Sequence, residues 1–141
     1  MRIPGYIFIN EDAIVTDHMN ILYFAFVDLD LPNACSTHVL GIVRGFAALG
    51  HRVDVIIPKP KKTRPIIENV RMWYLWPWRF SPVGRQVVKA LEACTMAACM
   101  LTRRHDCLYV REWQCDPVPR LVSRIWNIPL IVEVNGLVTE L

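Results

Sequence analysis

An apolar segment, a helix and a second apolar segment follow one another between Asn20 and Ile57, and this order restricts the fold most narrowly. The first segment, Ile21 to Val27, is almost unbroken in its apolar character, as expected for a strand buried on both faces of a parallel sheet. A stretch of helical periodicity follows, and Arg52 to Ile57 supplies the second strand. Because parallel strands need such a crossover, the sequence predicts a βαβ unit at the centre of a Rossmann-like sheet.

Several residues predict how the connecting helix starts, packs and ends. Ser36 and Thr37 are candidates for its N-cap, because their hydroxyl oxygens can accept hydrogen bonds from its first free N–H groups. We expect Gly41 and Gly45, four residues apart, to let helix and sheet approach closely. Gly50 stands where a left-handed residue ends a helix. The apolar positions at helical spacing predict one buried stripe: Val39, Ile42, Val43, Phe46, Ala47 and Leu49.

The remaining chain continues the alternation of strands and helices. Further strands are predicted at Val70–Leu75, Asp106–Val110 and Leu130–Val134, and further helices at Gly84–Arg104 and Pro117–Trp126. On the longer helix we expect the following buried positions: Val87, Val88, Leu91, Thr95, Ala98 and Leu101. The alternation predicts an α/β fold, a mainly parallel sheet with helices on both faces.

Length and composition set the class of protein. The 141 residues suffice for one domain with a substantial core, which we expect at residues 20–141 behind an N-terminal extension of residues 1–19. A hydrophobic share of 53% against a charged share of 21% excludes disorder. The net charge of +3 is too small to indicate a nucleic-acid partner.

Cysteine usage and hydropathy predict the compartment. Five cysteines without a CxxC pair favour a reducing environment over a disulfide framework. The first nineteen residues contain no signal-peptide pattern, and the most apolar helix candidate, Val87 to Leu101, is too short to span a bilayer. We therefore expect a cytoplasmic protein.

Ligands of open parallel sheets bind beyond the carboxyl ends of the strands, at the point where the strand order reverses. In this chain that edge comprises the Asp28–Thr37 loop, the Lys59–Arg64 loop, Arg111 to Asp116, and Glu133 to Gly136. We expect any binding or catalytic chemistry to lie there.

The first of these loops lacks the familiar phosphate-binding motifs. It contains neither GxGxxG nor GxxxxGKS/T, so a dinucleotide-binding turn and a P-loop are excluded. The helix N-terminus at Ser36 to His38 can still hold an anion through free N–H groups. Simple capping is the alternative for the same residues.

Asp28 and Asp30 are similar to the DxD pair of haloacid-dehalogenase-type phosphatases, in which one aspartate attacks phosphorus. That family continues with Gly-Thr, whereas Leu31-Pro32 follows here. Two solvated loop aspartates are therefore the stronger interpretation.

A metal site is a further possibility that the residues only partly support. Cys35 and His38 have C-x-x-H spacing, and Cys115 is predicted at the same edge of the sheet. Zinc needs four ligands in a tetrahedral arrangement, and only three are available, so we expect no metal.

A basic, aromatic-rich region follows the second strand. Tryptophan with cationic side chains suits a membrane interface, so we expect peripheral contact with the inner membrane face. The alternative is that Trp73 faces the core and the rest covers a partner domain. The candidate membrane or partner residues are Lys61, Lys62, Arg64, Trp76, Trp78 and Arg79.

Two longer segments resemble the N-terminal domain of the family 4 retaining glycosyltransferases, which have the GT-B fold. His38 to Ile56 has the sequence HVLGIVRGFAALGHRVDVI, in which Leu49 to Val53 is a compressed form of the family's Leu-x-x-Gly-His-x-Val pattern. Asp106 to Gly136 is similar to the family's strand, then a helix ending before an Ile-Pro step, then a strand ending in an acidic residue and a turn. The resemblance covers residues 20–141.

The resemblance implies transfer of a sugar from a nucleotide-sugar to a glycan or lipid-linked acceptor, with retention at the anomeric carbon and without a metal or other cofactor. In that family the N-terminal domain mainly binds the acceptor, and a C-terminal domain binds the donor. We expect that second domain in cis or in trans, and little activity from these 141 residues alone. A non-catalytic subunit that docks on a membrane or recruits a partner is the alternative.

The resemblance also implies which residues line the cleft. His38 and Arg111 are expected to contact diphosphate or acceptor, and Glu133 and Asn135 suit sugar hydroxyls. Asn135 stands where many family members have a histidine, and Asn33 and Ala34 stand where the family has a pair of small residues, usually glycines. The candidate cleft residues are Asn33, Ser36, His38, Arg111, Glu112, Glu133 and Asn135.

Overall fold

Strands and helices alternate throughout the part of the chain that the structure describes. This computed structural model describes residues 18–62, 64–76, 82–112 and 116–134, apart from the side chains of residues 82–85 and 112. The elements are β1 (Asn20–Ala25), α1 (Ala34–Ala48), β2 (Arg52–Pro58), β3 (Val70–Leu75), α2 (Pro82–Thr102), β4 (Cys107–Glu112), α3 (Pro117–Trp126) and β5 (Leu130–Val134).

The strands form one sheet in the order β3-β2-β1-β4-β5, and each neighbouring pair is parallel. β1 occupies the centre, with Tyr23 opposite Val55 on one side and Tyr109 on the other. The strand order reverses between β1 and β4, where a crevice is expected at the carboxyl edge. The predicted Rossmann-like α/β fold is confirmed.

Helices cover both faces of the sheet, because successive strand residues point to opposite sides. Val39 and Val43 of α1 pack against the face that carries Tyr23. Met96 of α2 and Val122 of α3 pack against the opposite face. Ile21 to Ala25 are all buried, as the apolar run in the sequence predicts. Burying each large apolar side chain contributes about 1.5–3 kcal/mol.

The start of α1 differs from the expectation. Its N-cap is Asn33, not Ser36 or Thr37: the Asn33 side chain accepts a hydrogen bond from the Ser36 N–H at 2.9 Å. Ser36 lies at the third helical position and returns a bond, since its hydroxyl oxygen accepts from the Asn33 N–H at 3.3 Å. The helix therefore begins at Ala34. Because Asn, Ser and Thr all make good caps, the sequence did not single out Asn33.

The glycines of α1 also differ from the expectation. Gly41 and Gly45 are exposed, and a Cβ added at either would meet no atom within 4 Å, so they do not bring helix and sheet together. Leu49, predicted in the buried stripe, is 67% exposed at the helix end. Gly50 does adopt a left-handed conformation, with φ of 83°, and ends the helix as predicted.

The buried side of α2 is rotated from the predicted one. Its buried residues include Glu92, Met96 and Cys99, whereas Leu91 and Leu101 are exposed. Small or apolar residues occur on most sides of this helix, and a buried glutamate interrupts the apolar pattern. The period of the sequence therefore indicates a helix without defining which side faces the sheet.

A buried carboxylate joins β2, β3 and the end of α2 near the amino edge of the sheet. Asp54 is fully buried and accepts hydrogen bonds from Arg71 Nε at 2.6 Å and from Trp73 Nε1 at 3.4 Å, and His105 Nε2 lies 2.8 Å away. Burial by itself would raise the pKa of Asp54, but the bonds from His105 and Arg71 outweigh it and hold the pKa well below its usual range. Trp73, for which a position facing the core was the alternative, thus belongs with Arg71 to this structural cluster.

A second buried carboxylate, Glu92, has a raised pKa, whereas the pKa of Asp54 is lowered. Its residue is 2% exposed, and its Oε1 has no hydrogen bond among the described residues. Burial, and then the nearby Asp116 carboxylate, raises the pKa of Glu92 to about 8, with Lys89 opposing the rise. At neutral pH Glu92 is therefore mostly uncharged.

This pKa predicts how stability depends on pH. The pKa of Glu92 is higher in the folded than in the unfolded chain. The free energy of unfolding is therefore highest below about pH 4.5, where Glu92 is protonated in both states, and it falls as pH rises towards 8. We expect Glu92→Gln to match the wild type at pH 4 and to exceed its free energy of unfolding by about 5 kcal/mol at pH 9, measured by urea denaturation. Glu68→Gln, at an exposed carboxylate, is the matched control and should keep the wild-type slope. An unchanged slope in Glu92→Gln would contradict the assignment.

Candidate functional site

Three side chains from three elements converge at the carboxyl edge of the sheet. His38 lies near the start of α1, Arg111 near the end of β4 and Glu133 in β5, where the register places it opposite Arg111. His38 Nε2 lies 2.8 Å from Glu133 Oε1, and Arg111 Nη1 lies 3.5 Å from the same oxygen. All three were expected at this edge from the sequence, and the structure places them in one cluster beside the point where the strand order reverses.

Two tyrosines that the sequence reasoning missed form the floor of this cluster. Tyr23 and Tyr109 lie opposite each other in β1 and β4 and stack with ring centroids 5.2 Å apart. The Tyr109 hydroxyl donates to Glu133 Oε2 at 3.5 Å. The available signal was the spacing of Tyr109 and Arg111, two residues apart and hence on the same face of one strand.

The tyrosine hydroxyls are neutral groups at physiological pH. Burial raises the pKa of Tyr23 strongly and Glu133 raises it further, while Arg111 opposes the rise. Burial and then Glu133 also raise the pKa of Tyr109. Both phenols therefore act as hydrogen-bonding groups rather than as phenolate bases.

The cluster contains polar atoms whose hydrogen-bonding capacity is unused. The Arg111 side chain is only 9% exposed, yet its Nη1 and the buried Tyr23 hydroxyl make no hydrogen bond of good geometry within the described ranges. The contact from Arg111 to Glu133 at 3.5 Å is an ion pair without that geometry. An unsatisfied buried donor costs about 1–3 kcal/mol, so a polar ligand that reaches Arg111 would recover that energy.

The other predicted cleft residues either cap and brace the start of α1 or have side chains that the structure does not describe. The Asn33 oxygen is used in capping α1, and the buried Ser36 hydroxyl lies 2.6 Å from the Leu31 carbonyl oxygen. Glu112 ends β4, but its side chain lies outside the described atoms, and Asn135 lies outside the described residues. Among the predicted cleft residues whose side chains are described, the structure thus groups His38, Arg111 and Glu133.

Asp28 and Asp30 have structural roles in the loop after β1. Asp28 Oδ1 accepts from the Asp30 N–H at 2.9 Å, and the Asp30 carboxylate accepts from the backbone N–H groups of Lys61 and Lys62. These bonds join two loops at the carboxyl edge. Across the described part of the chain, no group of three or more His, Cys, Asp or Glu side chains is placed to hold a metal ion, and Cys115 lies outside it.

The basic, aromatic-rich region is only partly described. Trp76 is 62% exposed, and Lys59 Nζ lies 4.9 Å from its ring centroid, a cation–π contact. Lys61, Lys62 and Arg64 are exposed, whereas Trp78 and Arg79 lie outside the described residues. None of the helices in the described ranges is long and apolar enough to cross a membrane.

A cavity of about 560 Å³ lies away from this cluster, at the amino edge of the sheet. It is lined by the end of α2 and the segment before β4, Met100 to Asp106, and by Trp126 to Pro129. Parallel sheets bind ligands at the opposite edge, so the carboxyl-edge cluster is the better candidate site.

Comparison with known proteins agrees with this fold. Residues 33–140 match the family model of the glycosyl transferase 4-like domain. A glycosyltransferase from Rickettsia africae is similar in structure, with a TM-score of 0.58 and 13% identity, over 87% of this chain and 32% of that protein. The C-terminal domain of a hydrogenase from Pyrococcus furiosus is also similar, with a TM-score of 0.61 and 12% identity, over 86% of this chain and 96% of that domain.

These likenesses differ in what they establish. At such low identity the two solved structures show the fold alone, and this chain spans about a third of the length of the matching glycosyltransferase. The comparison with curated proteins found no match. The family model, in contrast, covers well over half of the chain and agrees with the resemblance of the two sequence segments. The chain therefore belongs to the glycosyl transferase 4-like domain family.

Proposed function

We propose that this chain forms the acceptor-side wall of the cleft in a glycosyltransferase that moves a sugar from a nucleotide-sugar to a glycan or lipid-linked acceptor. The observation that supports this proposal most strongly is the convergence of His38, Arg111 and Glu133 beside the strand-order reversal. A ligand crevice is expected there in a sheet of this topology.

The charge of the cluster favours a polyhydroxyl ligand over a diphosphate. The positive charge of Arg111 is matched by the negative charge of Glu133, and the two tyrosines are neutral. In the adjoining loops Asp28 and Asp30 are matched by Lys61 and Lys62, whose backbone N–H groups bond to the Asp30 carboxylate. A site that is close to neutral but rich in donors and acceptors suits sugar hydroxyls, whereas a diphosphate needs net positive charge.

The proposal assigns the donor to another part of the enzyme. A donor-binding C-terminal domain, in cis or in trans, would hold the nucleotide-sugar and complete the cleft. The nucleotide-sugar is a substrate, and no metal or other resident cofactor is invoked. We place the reaction in the cytoplasm, at or near the inner face of the membrane.

Arg111 provides the direct test. In the native protein, assayed with a panel of nucleotide-sugars and glycoside acceptors, we expect Arg111→Gln to lower kcat/KM for the acceptor by about 10- to 100-fold, since a charge-assisted hydrogen bond is lost. The KM for the donor should be unchanged. Arg44→Gln, at an exposed arginine of α1, is the matched control and should leave both constants unchanged.

Two checks make this result interpretable. Because Arg111 is largely buried, the thermal midpoint of the variant should be measured, and kinetics compared only while the protein is folded. A raised donor KM with unaltered acceptor kinetics would contradict the acceptor-side assignment.

A docking function is a second candidate, supported by the exposed Trp76 beside Lys59. We propose that this surface contacts anionic lipid, where indole sits at the headgroup level and lysine meets negative charge. The double variant Trp76→Ala with Trp78→Ala should reduce co-sedimentation with phosphatidylserine vesicles several-fold. Leu49→Ala, at an exposed apolar residue that ends α1, is the control and should leave co-sedimentation unchanged. Absence of vesicle binding in the wild type would refute the proposal.

A further inference from the structure

Glu133 is held in place from two directions while it contacts His38. Arg111 Nη1 approaches Glu133 Oε1 at 3.5 Å, and the Tyr109 hydroxyl donates to Oε2 at 3.5 Å. The Glu133 side chain is 18% exposed, whereas that of His38 is 48% exposed. Glu133 is therefore an anchored group, and His38 is the member of the pair that a ligand can reach.

The contact with Glu133 determines which nitrogen of His38 carries a proton. An ionised carboxylate only accepts hydrogen bonds, so the 2.8 Å contact with Oε1 requires a hydrogen on Nε2. In a neutral imidazole the other nitrogen, Nδ1, is then a hydrogen-bond acceptor. Within the described residues, the contact that His38 makes through a ring nitrogen is that of Nε2 with Glu133, and no hydrogen bond uses its Nδ1.

We propose that Glu133 is a positioning residue that keeps His38 in the Nε2–H tautomer, so that Nδ1 accepts a hydrogen bond from the hydroxyl of the acceptor that is to be glycosylated. A bond of this kind orients the hydroxyl oxygen without removing its proton. It turns one of the oxygen lone pairs towards the cleft, where the anomeric carbon of the donor must approach. The part concerning the acceptor rests on the function proposed above, and the part concerning the tautomer does not.

The tautomer can be measured without any ligand. In protein labelled with ¹⁵N-histidine, long-range ¹H–¹⁵N correlations at a pH where His38 is neutral should show His38 protonated at Nε2 only. In Glu133→Ala the Nδ1-protonated form should appear alongside it. A wild-type His38 protonated at Nδ1, or a tautomer distribution unaltered in Glu133→Ala, would overturn the positioning role.

His51 is an internal control for the same spectra. Its Nδ1 accepts a hydrogen bond from the Met19 backbone N–H at 3.2 Å, so it too should be protonated at Nε2. Because this bond does not involve Glu133, the His51 signals should be identical in wild type and Glu133→Ala. A change at His51 would indicate misfolding, and Glu133→Met, which is similar in side-chain length but has no carboxylate to accept the bond, would then replace the alanine variant.

The role of Nδ1 is tested by the kinetics of three His38 variants. An asparagine places its amide close to the position of Nδ1, whereas a glutamine places its amide close to that of Nε2. We expect His38→Asn to retain kcat/KM for the acceptor within about threefold, and His38→Gln and His38→Ala to lose about tenfold or more. The opposite order of Asn and Gln would overturn the proposal.

If the native protein transfers no sugar to any acceptor, the proposed function fails, and the tautomer measurement still decides the role of Glu133.

Discussion

The parallel pairing of β1 with both β2 and β4 is the constraint on which the rest of the structure depends. A strand that is central in a parallel sheet must be reached by crossover connections on both sides, and these connections place α1 over one face and α2 and α3 over the other. All carboxyl ends of the strands then meet at one edge. The polar side chains that follow or end β1, β4 and β5 are gathered there although they are far apart in the sequence.

The two charged clusters on this framework have different physical characters. Asp54 is fully buried, accepts a hydrogen bond from Arg71 of β3 and contacts His105 in the segment after α2, so it forms a structural ion-pair cluster. Glu133 is paired with a half-exposed histidine and with an arginine that retains an unused donor. Buried polar networks that are satisfied confer rigidity, whereas a donor left unsatisfied at an open edge favours binding of a ligand.

Much of this arrangement could be predicted from the sequence. The apolar run of β1 and the alternation of strands and helices were sufficient to predict the fold. The rule that parallel sheets bind ligands at the carboxyl ends of their strands located the edge where His38, Arg111 and Glu133 meet. Other features depend on tertiary contacts. Three neighbouring residues compete to cap α1, and the buried side of α2 includes Glu92. The importance of Tyr23 became visible only once β1 and β4 were known to be neighbours.

Binding of the acceptor at the carboxyl edge is the proposal from which the roles of His38, Arg111 and Glu133 follow. The most direct measurement is the change in backbone and side-chain NMR signals when simple glycosides and nucleotide-sugars are added separately. If the acceptor binds at this edge, glycosides should shift the signals of His38, Arg111 and Glu133. The signals of the amino-edge cavity, Met100 to Asp106 and Trp126 to Pro129, should be unchanged. Shifts confined to that cavity, with none at the carboxyl edge, would contradict this proposal.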